Sequence, residues 1–315
     1  MNGFSRAAAT ASLLFSLPLP LLGNEVTATY AGGVLTLNGD GDGNALVLLD
    51  ASGSGDEIIL GLAGTTINGR RVVRLPSTVR RLQAELGAGA DRLGLGQLTT
   101  LNLADVALGE GNDVLFTLAP VTLQVTFGLT IDGGPGDDAV DLTDASVGTD
   151  LQIIGGDGAL EVDLTDVSVG RDATITGASE ADAFTLREVT VGGAAALSTF
   201  SGDDAVTLSN LLVDGALTVA TEAGVDAVRL EFVTAGGPAQ IDTGADNDVA
   251  AITDTTGLDS FSARFGAGED VVSGTRVSAE GEVLFDGGDG VDTLTDNGIE
   301  GVAGTQIVAF EVLLP

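Results

Sequence analysis

The chain has 315 residues, with 12 basic and 46 acidic side chains, a formal charge of −34, and no histidine, cysteine or tryptophan. Lysine is absent too, so disulfides, thiol catalysis, zinc–histidine centres and Schiff-base chemistry are excluded together. A field of this sign repels nucleic acid and anionic lipid and attracts cations. Hydrophobic residues make up 44% but aromatics only 4%, and there are 47 glycines, so the expected core is aliphatic and built from short strands.

After Arg6, residues 7–22 (AAATASLLFSLPLPLL) form an apolar stretch broken by Pro18 and Pro20, and residues 1–23 read as a signal peptide. The expected location is therefore outside the cell, in the medium or on the cell surface. No later run reaches the 18 or so apolar residues of a membrane span, so membrane insertion of the mature chain is not expected.

Residues 24–85 are less regular and read as an N-terminal capping region. Within it, 26–38 (VTATYAGGVLTLN) has a hairpin pattern, and 39–44 (GDGDGN) and 53–57 (GSGDE) are turn-like. Arg70, Arg71, Arg74, Arg80, Arg81 and Arg92 cluster in and just after this region, whereas residues 93–315 hold 38 acids against five arginines. The arginines either cover the end of the core while pairing with the acidic body, or dock on an anionic polysaccharide or another copy.

From residue 86 to 297 the chain repeats. Turns anchored at Asp91, Asp113, Asp138, Leu160, Asp182, Asp204, Asp226, Asp248, Asp270 and Asp292 are separated by 22, then 25, then seven times 22 residues. Apolar residues recur at fixed phases: Val140, Val162, Phe184, Val206 and Val228; two places on, Leu142, Leu164, Leu186, Leu208 and Leu230. Val167, Val189, Leu211 and Val233 form a third column, and Ile153, Ile175, Leu197, Val219 and Ile241 a fourth. Within each coil they alternate with polar residues, the period of a strand with one face inward. The predicted fold is all-β: a right-handed parallel β-helix, or β-solenoid, of 22-residue coils stacked at about 4.8 Å. A β-sandwich would not hold so regular a repeat. Asp296 and Gly298 fall at inward phases, so residues 298–315 are expected to form a C-terminal cap, with 306–314 (QIVAFEVLL) supplying apolar residues.

The chemistry sits in the turns: GEGND at 109–113, GGPGDD at 133–138, GAGED at 266–270 and GGDGVD at 287–292. These segments resemble the glycine-rich calcium-binding repeat of haemolysin-type (RTX) proteins, in which turn carbonyls and the aspartate hold Ca²⁺ between stacked turns. The resemblance implies a ligand set of Asp91, Asp113, Asp138, Asp182, Asp204, Asp226, Asp248, Asp270 and Asp292. Gly109, Gly111, Gly133, Gly134, Gly136, Gly266, Gly268, Gly287, Gly288 and Gly290 join them. That family repeats every nine residues and this chain every 22, so the metal geometry carries over while the family's fold does not. The chain as a whole also looks like the large secreted bacterial β-helix repeat proteins.

Charge alone argues for a cation as well. Carboxylates stacked about 4.8 Å apart repel by roughly 0.9 kcal/mol per neighbour in water and about 3.5 at an effective dielectric of 20. Calcium, with its irregular oxygen shells, suits such a column better than magnesium. The alternative is that each aspartate only shapes its turn.

Catalysis finds little support. Parallel β-helices host polysaccharide lyases and hydrolases, but Arg171, Arg187, Arg229, Arg264 and Arg276 fall at five different phases and Tyr30 is the only tyrosine. The expected function is a non-catalytic, calcium-binding structural, cell-surface or adhesive module. A polysaccharide-active lyase or hydrolase is the alternative. Expected partners are calcium ions and either a surface polysaccharide or further copies of the chain.

Overall fold

The computed structural model describes residues 24–50, 57–75, 78–96, 101–118 and 122–314; the expected signal peptide and most of the 53–57 turn lie outside them. The described residues form an all-β solenoid whose coils stack in parallel. Two long sheets run its length, one of 14 strands and one whose main path has 16.

One coil shows why. Asp138–Val147 is a ten-residue strand in which Val140, Leu142, Ala145 and Val147 are buried. It runs straight to Thr143, bends at Asp144, where φ is +53°, and continues as a second arm. The same left-handed corner recurs one coil apart at Asp166, Glu188, Asn210, Phe232, Asp254 and Arg276, with φ between 50° and 56°. Asp or Asn holds four of these seven corners, because their short polar side chains tolerate the left-handed region best. After a turn at 148–150 the chain enters the 14-stranded sheet as Leu151–Asp157, and the glycine-rich turn then returns it to Leu160–Val169. The result is three faces around one core.

Register holds throughout. Val140 lies opposite Val162, which lies opposite Phe184, and so on through Val206 and Val228. All four predicted columns are buried. Each such side chain contributes about 1.5–3 kcal/mol on leaving water. Even the 25-residue step preserves phase, since Val114 pairs with Ala139. Where the core residues shrink, at Ala250, Ala263 and Gly274, the fully buried Phe261, Phe265 and Phe285 take up the volume. Phe261 and Phe285 stack with ring centroids 5.4 Å apart.

The N-terminal end abandons the parallel rule. Glu25–Ala31 and Val34–Asn38 form an antiparallel hairpin, and Ala45–Asp50, Glu57–Gly61 and Val72–Arg74 form an antiparallel meander on the other sheet. Val26, Ile59, Ile67 and Val79 seal the core there. At the opposite end Gly304–Val308 and Val312–Leu314 simply continue the two sheets in parallel register. Ile307 and Phe310 pack against the core, while Leu313, opposite the buried Leu294, is 59% exposed.

Candidate functional site: a buried aspartate ladder

The glycine-rich turns lie in a column along one edge. Counting back from the anchor, Gly109, Gly134, Gly266 and Gly288 stand four residues before it, and Gly111, Gly136, Gly268 and Gly290 two before. Close stacking dictates the residue type. A Cβ on Gly111, whose φ is +137°, would lie 1.8 Å from the Gly89 carbonyl oxygen one coil earlier. A Cβ on Gly290 would lie 1.5 Å from the Gly268 oxygen. Gly133 and Gly287, five before their anchors, face those anchors instead: added Cβ atoms would meet Asp138 Oδ2 at 2.3 Å and Asp292 Oδ2 at 2.9 Å.

All nine anchor aspartates are buried, none more than 3% exposed. Each turns inward and accepts, through Oδ1, the backbone N–H of the anchor one coil earlier. Asp91 thus donates to Asp113 and Asp113 to Asp138, then Leu160 to Asp182 and on through Asp204, Asp226, Asp248, Asp270 and Asp292, at 2.6–2.9 Å. The ladder begins with the Asn44 N–H on Asp91 and ends with the Asp292 N–H on Glu311 Oε2. Leu160 breaks one rung. With no carboxylate to reach, the Asp138 N–H bonds to the Ala159 carbonyl at 2.8 Å. A hydrogen bond to an ionised acceptor is worth about 1.5–3 kcal/mol, so the rungs are a large contribution to coil-on-coil cohesion.

The second oxygens are a different matter. Oδ2 of Asp91, Asp113, Asp138, Asp204, Asp226, Asp248, Asp270 and Asp292 has no hydrogen-bond partner. Only Asp182 is satisfied there, by the Ala178 N–H at 2.8 Å. Burial pushes Asp113, Asp204 and Asp226 up, and carries Asp91, Asp182 and Asp270 to about 6 and Asp138 and Asp248 to about 7. The backbone rungs oppose that shift, as do the buried hydroxyls of Thr221 and Thr243, five residues before Asp226 and Asp248. In the present geometry these hydroxyls donate at 3.4 Å to carbonyls one coil on.

The donor set fits a cation in part. The Oδ2 row is desolvated and free, which favours a proton or a hard cation. The turn carbonyls already accept hydrogen bonds: Gly133 O from Gly109, Pro135 O from Gly111 and Gly266 O from Asp289. Among the described residues no three acidic side chains converge on one point as a metal-holding group.

Elsewhere the arginines are mostly engaged. Arg171 pairs with Asp150, Arg276 clasps Asp254 through Nε and NH2 at 2.5 and 2.6 Å, and Arg229 meets Glu231 at 2.7 Å. At the N-terminal end Arg81 pairs with Asp105 at 2.9 Å and Arg92 lies over the Phe116 ring. A shallow groove of about 330 Å³ runs past Ser146, Ser168, Thr190, Leu212 and Asp214. It gathers neither paired carboxylates nor a base.

No protein family, curated protein or solved structure matched the chain in the comparisons.

Proposed function

We propose that this chain is a non-catalytic structural solenoid: a secreted, stiff, acidic rod serving as a cell-surface or adhesive module. One observation carries the reading. Among the described residues the buried repeated motif spends one oxygen of every anchor carboxylate on the backbone of the neighbouring coil, so its work is cohesion. The arginine–acid pairs on the surface support the same view, because they occupy bases that a polysaccharide lyase would need free. Incubation with a panel of uronate-containing polysaccharides, followed for new reducing ends and unsaturated products, tests it. Steady turnover would overturn the reading in favour of a lyase or hydrolase.

The free Oδ2 row favours calcium as a second element of this function. Asp204, Asp226, Asp248, Asp270 and Asp292 form its longest uninterrupted stretch after Leu160 and Asp182, and Asp91, Asp113 and Asp138 a shorter one. A bound cation would neutralise carboxylates that burial otherwise leaves uncompensated. Calcium that binds only the folded rod raises its melting temperature in proportion to the logarithm of concentration. Identical melting in chelator and in excess calcium, at equal ionic strength, would remove calcium and leave the structural reading standing.

A further inference from the structure

We propose that copies of this chain associate head to tail, the C-terminal end of one solenoid seating on the N-terminal end of the next. The inference goes beyond the structural role and does not depend on calcium; a rod that stays monomeric could still be structural.

Among the described residues both sheets finish at the C-terminal end on Gly304–Val308 and Val312–Leu314, whose outer sides pair with no further strand. Val308, Val312, Leu313 and Leu314 are 41%, 39%, 59% and 47% exposed there. Free apolar edges template the addition of another strand. At the other end the bent sheet finishes on Val72–Arg74, with Val72 47% exposed.

Direction matches as well. Val72–Arg74 is antiparallel to Glu57–Gly61, which is antiparallel to Ala45–Asp50, which is parallel to the coil strand Arg92–Leu95. Two reversals return Val72–Arg74 to the coil direction. Val312–Leu314 of one copy laid along it would extend the sheet in parallel, three residues against three.

Charge then selects among the pairings. The outermost elements of the head carry Arg70, Arg71 and Arg74 with Glu25 and Glu57 on the strands beside them, and residues 24–92 together hold eight acids and six arginines, whereas beyond Arg276 there are eight acids and no base. Two tails brought together would set acid against acid, while head to tail sets the acidic tail against the end that offers arginines. Such a contact is heterologous and does not close on itself, so it propagates into linear oligomers.

Sedimentation velocity on the chain in chelator, from low to high micromolar and at low and high salt, tests this. The expected result is mass that climbs past the dimer with concentration, with association weakened about tenfold on screening the charges. Leu313→Lys should suppress assembly. Arg71→Glu, at an exposed site where folding is not at stake, should weaken it about tenfold, and mixing that variant with Glu300→Arg chains should restore mixed oligomers. A monomer under all conditions, a dimer that does not grow, or oligomers indifferent to Arg71→Glu would each overturn the proposal.

Discussion

Acidifying the solution from neutrality should make the rod more stable. Burial lifts the anchor carboxyls from an ordinary 3.8 to about 6 at Asp91, Asp182 and Asp270 and about 7 at Asp138 and Asp248. An acid whose folded pKa is raised holds its proton more tightly in the folded state. Its stabilising contribution is therefore complete below the unfolded value and is lost as pH rises through the folded one. Within that window each group changes stability by about 1.4 kcal/mol per pH unit. Between about pH 7 and pH 5, Asp248 alone should add roughly 2 kcal/mol, since at its folded pKa the slope is only half the full value. Surface carboxylates lowered by arginine, Asp150 and Asp254, lose their pairs only at lower pH and leave this window untouched. Screening of the net charge acts in the same direction, so Asp248→Asn supplies the control: it keeps an acceptor for the Asp226 N–H but cannot titrate. Urea denaturation in chelator at fixed ionic strength, across this pH range, gives the two slopes. If wild type and Asp248→Asn have the same pH dependence, the buried ladder does not titrate as argued.

Three further outcomes are expected. Asp226→Ala leaves the Asp204 N–H without its acceptor and should cost about 1–3 kcal/mol, whereas Asp226→Asn, which keeps the rung, should stay within about 1 kcal/mol in chelator; urea titration compares them. Gly111→Ala, with its Cβ driven to 1.8 Å from the Gly89 oxygen at a φ of +137°, should destabilise by about 2–4 kcal/mol, read as a lowered melting temperature. Millimolar calcium should raise the melting temperature of the wild type and do less for Asp226→Asn, which lacks one free carboxylate oxygen.

The solenoid was legible because its signal is redundant: ten anchors and four apolar columns repeat the same phase, and each coil must place like side chains over like. The corner column is not legible in the sequence. Asp144, Glu188, Phe232 and Arg276 share a backbone conformation that no side-chain type announces, and only the Asp and Asn bias hints at it. Nor is the inward turn of the anchors plain there, although the information is present. Asp138 has the same parity as Val140 and Leu142, so it lies on the inward face of its strand, and Leu160 shows that an apolar side chain fits there. An aspartate after glycines reads first as a ligand or a turn former, and its burial as an amide acceptor needs the next coil in view. Asn44 and Glu311, which start and finish the ladder, fall outside the strict period and so escaped the alignment. The hairpin over 26–38 is legible in its own alternation, whereas the antiparallel meander of Ala45–Asp50, Glu57–Gly61 and Val72–Arg74 lies outside the period.

The claim at the centre is that the repeated aspartate points inward and bonds the backbone of the neighbouring coil. A high-resolution crystal structure of the protein soaked in calcium, with anomalous maps, tests it most directly. Each anchor Oδ1 should lie within hydrogen-bond distance of the preceding anchor's N–H, with any ions confined to the Oδ2 row and the Asp138–Leu160 and Leu160–Asp182 gaps without an ion. Anchor carboxylates facing outward, with ions held between turn carbonyls and a well-occupied one beside Leu160, would contradict it.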